Sequence, residues 1–416
     1  MSGNMTTINK VCNVASQIDP SELDRDEFTY IDISSIDRES KEVLEPSVIS
    51  VDRAPSRARK LVSANDTLVS TVRPNLNAVA FVGDNLHGSI ASTGFSVLRP
   101  NPDKIAPRFL FFLVRTSEFI DEMTSHAKGA NYPAVSDRIV RSHSFRLPDL
   151  PVQHRIVAIL DQADSLRRSR KEADRLQARI LETVFLEAFG DFEKNPLNWD
   201  RCKLGECLDY LTSGSRGWRE FYSNDGAIFI RIQNVKDGAL NLNDVAYVQP
   251  PISAETERTR VNEGDILLSI TADLGRTCVV PRLGADAYIN QHLAILRISG
   301  LNPHFVSAFL SSPAGQRQFG LLNRSAVKAG LNFTDIRSII LPKPPRERQD
   351  YFQEIVVKFR ETEAKSKQSS RNIETLFQTL LSRAFDGRLV SENATARNSQ
   401  SEMNELIQEI ESQSKS

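Results

Sequence analysis

Two long stretches of the chain can hardly be anything but helix, and they constrain everything around them. Residues 151–189 hold no Pro after Pro151 and no Gly, and are rich in Leu, Arg, Glu, Ala and Gln, all good helix formers. Ile159, Ala163, Leu166, Ala173, Ile180 and Val184 fall on one alternating three-and-four seam, interrupted by Arg170 and Gln177. At 1.5 Å per residue the segment spans roughly 58 Å, too long for one wall of a compact domain. Residues 345–385 form a second such segment. There Phe352, Ile355, Phe359, Ile373, Leu376 and Leu380 share a seam whose middle is Thr362, Ser366 and Ser369. Both have Pro-flanked lead-ins, Leu147-Pro148-Asp149-Leu150-Pro151 and Leu341-Pro342-Lys343-Pro344-Pro345, and matching exits, Ala188-Phe189-Gly190-Asp191 and Ala384-Phe385-Asp386-Gly387. The lead-ins lie 194 positions apart and the exits 196, so the chain is a tandem duplication.

The intervening text repeats in the same order. Residues 28–36, 66–72, 77–83 and 94–100 read as short strands, and 107–125 as one helix burying Phe109, Phe112, Leu113 and Phe119. Ser136-Asp137 reads as a cap for a short helix. In the second half, 227–235 parallels 28–36, and Asp265 and Ser269 align with Asp66 and Ser70. Residues 288–298 parallel the 94–100 strand, 303–312 the Phe-rich helix, and Thr334-Asp335 the cap. The expected fold is α/β (α+β) in tandem duplication, separated by two long antiparallel coiled-coil helices with a pseudo-twofold axis. The expected boundaries are 1–150 for the first globular domain, 151–190 for the first spacer helix, 191–344 for the second domain, 345–390 for the second helix, and 391–416 for a polar tail. A length of 416 residues also asks for two domains or more.

Composition excludes several classes. Apolar residues at 40% and charged residues at 25% are ordinary for a globular protein. Lys plus Arg number 52 against 53 Asp plus Glu, so any basic surface must be local. Cys12, Cys202, Cys207 and Cys278 are scattered, as in a reducing compartment. No apolar run reaches membrane-spanning length and residues 1–10 lack a signal peptide's core, which leads to the expectation of a soluble, cytoplasmic protein with no membrane partner.

These features resemble a known family, the DNA-specificity subunit of type I restriction–modification systems. The likeness rests on the LP-x-x-P lead-in, the Ala-Phe-x-Gly-like exit, the Asp-x-Leu-x-Ser strand, the Ile289-Asn290-Gln291 turn and the layout of two domains on two spacer helices, and it covers residues 6–389. The first lead-in departs from the family, with Gln153-His154-Arg155 where an acidic residue followed by Gln is usual; the second has Glu347-Arg348-Gln349. The resemblance implies a non-catalytic reader of double-stranded DNA, each globular domain a target recognition domain for one half of a split, asymmetric site. The helices would set the gap and dock two copies of a DNA adenine methyltransferase subunit, with ATP-driven restriction/translocase subunits joining them. S-adenosylmethionine, ATP and Mg would belong to those partners, with no cofactor or metal in this chain.

Motifs for catalysis are missing from the sequence: GxGxxG, Walker A, GxSxG, HExxH, a His-x-Glu…Cys-x-x-Cys deaminase signature, and the adenine-methyltransferase tetrapeptide. The six His are dispersed, and no catalytic residue is assigned.

For DNA contact the first choice is residues 212–222, where Gly separates Ser215, Arg216, Trp218, Arg219 and Tyr222; arginine grips phosphate or the guanine O6/N7 edge. The bland alternative is a solvated loop anchored by a buried Trp. Gln233, Asn234 and Lys236 end a strand, where amides suit adenine or form an ordinary turn. In the first half, Arg57, Arg59 and Lys60 lie in a basic run with Arg53, as apt for phosphate as for a solvated face. Arg73, Asn75 and Asn77 sit in the turn matching that of Arg276. Lys128, Asn131 and Tyr132 match Lys328 and Asn332, and Asn290 and Gln291 complete the set. On the first helix, Arg167, Arg168, Arg170, Lys171, Arg175 and Arg179 form a basic face, which Glu172, Asp174 and Glu182 can also neutralise. The rival reading from another class is a structural adaptor, two protein-binding heads on a coiled-coil spacer without a DNA role.

Overall fold

The computed structural model describes residues 4–236, 238–323 and 330–390. It divides into two compact units, Met1–Ala173 with Lys367–Ser416, and Asp174–Ser366. Each unit has the same parts, so each is described by itself.

In the first unit a four-stranded sheet runs Ser47–Ser50, Glu27–Ile31, Ile90–Ser92, Ala58–Leu61, and a second runs Cys12–Asn13, Phe95–Pro100, Thr67–Ser70, Val79–Phe81. Ile90–Ser92 is parallel to Glu27–Ile31, with Tyr30 opposite Ile90. The strands of β-branched and aromatic residues bury Ile31, Leu68, Ala80, Phe95 and Val97 between them. The 107–125 segment is two helices, Pro107–Leu113 and Ser117–His126. The break falls at Thr116, whose hydroxyl accepts the Phe119 N–H at 3.3 Å and so caps a new start.

The second unit repeats this. Its sheets run Leu208–Ser213, Leu293–Ile298, Ile266–Ser269, Thr277–Val279 and Tyr222–Ser223, Ala246–Val248, Ala227–Ile230, Ala287–Ile289. Again one pair is parallel, Phe229 lying opposite Tyr288. Helices Pro303–Ser311 and Pro313–Leu322 break at Ser312, as the first pair does at Thr116. Ser136 caps Asp137–Ser142 as expected, but the second cap is Asn332 and not Thr334. Asn332 accepts from the Asp335 N–H at 2.9 Å and donates its own N–H to that carboxylate at 3.0 Å, a reciprocal box.

The long helices span Leu150–Phe189 and Arg346–Phe385. In the first unit Ile156, Ile159, Leu160 and Ala163 share one core with Leu376, Phe377, Leu380 and Ala384 of the second helix and with the Phe-rich helix. In the second unit Phe185 and Phe189 pack on Phe305, Phe352 and Val356. There the two helices run antiparallel: Asp174 accepts from Ser366 and the Ala188 carbonyl from Arg348, at 2.9 and 3.0 Å. The seam of the second helix is as expected at Phe352, Leu376 and Leu380, with Ile355, Phe359 and Ile373 half-buried. On the first helix it is rotated. Ile159 and Ala163 are buried, but Leu166 and Ile180 are 43% and 45% exposed and Ala173 is exposed too. The buried side at that level carries Asp164 and Arg167 instead, and each of these buried charges has its ion-pair partner there.

Candidate nucleic-acid interface

The Asp-x-Leu-x-Ser motif turns out to build the loops and not to contact a ligand. Asp66, 1% exposed, accepts the Ser63 N–H at 2.8 Å and pairs with Arg99 at 2.8 Å. Asp265 does the same with the Asn262 N–H at 2.7 Å and Arg297 at 2.8 Å. At the motif's end, Ser70 donates to the Val72 carbonyl at 2.9 Å, and Ser269 accepts the Arg276 N–H at 2.8 Å. Each serine thereby shapes the loop beyond its strand.

In the first unit that loop meets a second one. The Arg73 N–H donates to the Pro133 carbonyl at 2.7 Å and Val135 N–H to Thr71 at 2.9 Å, while Lys128 and Ala134 exchange hydrogen bonds at 3.0 and 2.9 Å. The guanidinium of Arg73 lies 4.8 Å over the Tyr132 ring and reaches the Asn131 carbonyl at 3.4 Å. Arg73 has φ of 50°, a left-handed backbone costing about 1 kcal/mol for a side chain of this kind. Arg73, Asn75, Lys128, Asn131 and Tyr132 are all exposed on this double loop, with Tyr132 at 69%. The structure thus brings together five residues from two turns that the sequence places 53 or more positions apart. Asn77 is a correction. Its amide donates to the Val114 carbonyl at 2.8 Å and its oxygen accepts Lys41 Nζ at 3.0 Å, so it holds the loop's base.

The second unit docks its loops by the same bonds, Leu331 N–H to the Ile270 carbonyl at 2.9 Å with a bridge between Thr271 and Gly330. Arg276, half-buried, pairs with Asp273 beside it. Lys328 lies outside the described residues. Asn332 is the cap described above, a correction to its reading as a base-contacting amide.

In the 212–222 stretch Gly214 runs so close to the Asn290 carbonyl that a Cβ would meet it at 2.2 Å. Trp218 is 6% exposed, stacks on Phe229 at 5.1 Å and meets the Tyr288 ring at a tilt, 5.4 Å away. It anchors the loop from within, so the bland reading holds for this residue. Arg216, Arg219 and Tyr222 are exposed around it, and Ser215 is half-buried with its hydroxyl enclosed. Gln233 and Lys236 are exposed, but Asn234 is 2% exposed and binds three backbone groups of its own turn, at 2.9, 3.0 and 2.7 Å. Asn290 is likewise buried and accepts the His292 N–H at 3.2 Å, while Gln291 meets His292 at 3.0 Å. Both asparagines are corrected to structural roles, since short amides compete well for nearby backbone. Arg57 is exposed, Arg59 pairs with Asp19 at 3.3 Å, and Lys60 is half-buried in its strand.

Two residues that the motif search passed over fix where the long helices begin. Gln153 is fully buried, accepts the Ala106 N–H at 2.8 Å and donates to the carbonyls of Lys104 and Pro148 at 3.1 and 2.8 Å. Gln349 repeats this with Asn302 N–H and the Pro344 carbonyl, both at 2.7 Å. The signal was a Gln five residues after a Pro of the lead-in, Pro148 and Pro344, in both copies. Burial pushes the Cys12, Cys202 and Cys278 thiols up to about 12, so these three are not activated nucleophiles. Among the described residues no group of three or more His, Cys, Asp or Glu is placed to hold a metal, and no helix is long and apolar enough to cross a membrane.

Residues 6–177 match the family model described as the type I restriction modification DNA specificity domain. The specificity subunit of the HindI enzyme of Haemophilus influenzae is 27% identical over 148 residues, 35% of this chain and 32% of that one. That of the EcoBI enzyme of Escherichia coli is 23% identical over 70% of this chain and 67% of its own length. A solved structure from work on complex assembly and conformational transition of the type I R-M system aligns at a TM-score of 0.59 and 26% identity, covering 94% of this chain and 99% of that one. The type I restriction–modification system S subunit from M. genitalium, at 14% identity and a TM-score of 0.57, shares the fold. With the duplicated heads and paired helices already described, these likenesses place a type I restriction modification DNA specificity domain at residues 6–177 and make the chain similar, over nearly its whole length, to the specificity subunits of type I restriction–modification systems.

Proposed function

We propose that this chain is the non-catalytic reader of a type I complex, each globular unit recognising one half of a bipartite, asymmetric DNA site through the major groove. The observation that carries this is the repeated loop pair. Both units build it from the same strands and the same docking bonds, yet fill it with different side chains, Arg73 over Tyr132 in one, Arg276 paired with Asp273 in the other. A constant scaffold with changed contact residues is what reading two unlike half-sites requires.

The long helices would set the gap. Forty residues of helix reach about 60 Å, between one and two turns of B-DNA at ~34 Å each. They would also dock two adenine methyltransferase subunits in the cytoplasm, joined by restriction/translocase subunits, with S-adenosylmethionine, ATP and Mg carried by those partners. Apolar residues left on helix surfaces support docking: Leu166 in the first unit, and Leu176, Ile180 and Leu186, at 53%, 45% and 45% exposed, in the second.

The test is to map methylated adenines in host DNA with and without this gene, then with either globular unit exchanged for a relative's. A two-part methylated motif should appear, and each exchange should alter one half only. Unchanged methylation after deletion of the gene would leave the adaptor reading in its place.

A further inference from the structure

In the first unit four separate parts of the chain meet on one buried carboxylate. Asp164 of the first long helix is 2% exposed, and its Oδ1 accepts from Arg115 at 2.8 Å and from Arg167 at 2.9 Å. Arg115 ends the Phe-rich segment, and its guanidinium stands 4.9, 5.1 and 4.8 Å over the rings of Phe111, Phe112 and Phe377. Arg167 lies 4.7 Å over Phe377 and reaches Glu374 at 3.6 Å, both on the second long helix. It also donates to the Glu39 carbonyl at 3.3 Å, in the hairpin made by Ile36–Asp37 and Glu42–Val43. That hairpin adds Glu42 to Arg168 at 2.6 Å and Glu39 to Lys171 at 3.5 Å. Its Lys41 donates to Asn77 at the base of the Arg73 loop.

Charges buried against aromatic faces are tolerable only where each has its partner. A slip of the globular body along the helices would strand the Arg115 guanidinium, whose carboxylate rides on the helix, and would part Arg167 from the Glu39 carbonyl, so this junction admits one bearing. Apolar surfaces slide at far less cost. In the repeat, Arg115 corresponds to Ser311, which instead shares hydrogen bonds with Thr277, at 2.8 Å, in a hydroxyl cluster with Ser307.

Building on the function proposed above, we infer that Asp164 is a positioning residue: it fixes the bearing of the first globular unit on the long helices, and through it the gap tolerated between half-sites. It reads no base itself.

The experiment uses the full chain with its methyltransferase partners in cells, on a target library whose half-sites are held constant while the gap varies by one base pair either way. Two variants are compared with wild type. D164N keeps the size but loses the charge. R115M/D164L/R167M replaces the whole cluster with apolar groups of similar volume, a change that buried triads tolerate without loss of stability. Methylation at the off-length gaps, relative to the native gap, should rise on the order of tenfold in either variant with both half-site sequences unchanged. A merely structural role lowers methylation at all gaps alike, leaving that ratio where it was. The idea is overturned if the variant that accumulates, the triple one where D164N does not, keeps wild-type gap discrimination. A wild type with no two-part motif sinks the proposed function instead, and is seen before any variant is made.

Discussion

Around Asp164 the first unit buries two arginines among Phe111, Phe112 and Phe377, while at the corresponding place the second buries the hydroxyls of Thr277 and Ser307 and seats its helices on a cluster of Phe185, Phe189, Phe305 and Phe352. The surrounding architecture is the same in both. Both units seat their helices on aromatic side chains, and at this place the first adds paired buried ions where the second has neutral hydrogen bonds between hydroxyls. Aromatic pairs at 4.7–6.0 Å give strength with little directional demand, whereas paired buried ions give direction at a high cost of error.

The sharpest way to break this contrast is to remove one partner from each junction. Asp164→Ala leaves the Arg115 guanidinium buried and unpaired and Arg167 with only the more distant Glu374, and should cost about 3–5 kcal/mol of first-unit stability. Thr277→Val removes a neutral hydroxyl and should cost about 1 kcal/mol in the second. Chemical denaturation, with amide hydrogen exchange to say which unit opened, measures both. Equal losses would mean the ionic cluster is no more demanding than the hydroxyls.

A second comparison should come out even. Gln153→Ala and Gln349→Ala each orphan a buried N–H and at least one carbonyl, an expected loss of about 1–3 kcal/mol apiece. The Ala106 and Asn302 amides should exchange faster in the respective variants. A large inequality would show that the two lead-ins are not the same device.

The reading loops come next. Arg73→Ala with Tyr132→Ala should weaken recognition of one half-site, and Arg216→Ala with Arg219→Ala the other, by about 1–3 kcal/mol where a base is contacted. Where the contact is phosphate, affinity should fall alike on all sequences and the salt slope should drop by about one per residue. Binding assays at several salt concentrations distinguish these, and a double variant that disturbs both halves equally would undo the assignment of one unit to one half-site.

Much of this was legible in the residues because a repeat exposes its own punctuation. The Pro-flanked lead-ins, the Phe-rich segment and the Asp66/Asp265 pair recur in order, and the parallel strand pairing recurs with them. What misled were local signals with two physical uses. An asparagine in a turn offers an amide to DNA or to the backbone beside it, and for Asn77, Asn234, Asn290 and Asn332 the backbone is nearer. The seam of the first helix followed its leucines, yet its rotation is decided by Asp164, whose partner Arg115 lies 49 positions away. No periodicity carries such a pairing. The departure at Gln153 likewise became intelligible only beside Gln349, since both place one amide under the turn that starts a Phe-rich helix.

The last effect is the most specific to the ionic side. Burial, with Arg115, Arg167 and Lys171 close by, lowers the Lys41 ammonium from its ordinary 10.5 to about 8. Below pH 8 the folded chain carries this charge at a penalty that the unfolded chain does not feel. Between about 8 and 10.5 the folded form has released the proton while the unfolded form still holds it, so rising pH stabilises the first unit across that window. Above it the two states match and the slope vanishes. Lys41→Met removes the titration, so wild-type stability measured against that variant should climb from pH 7.5 to pH 10, with hydrogen exchange placing the change in the first unit. A flat difference would mean that the ammonium keeps enough water to ignore its neighbours, and the cluster around Asp164 would then be less tightly closed than a single permitted bearing demands.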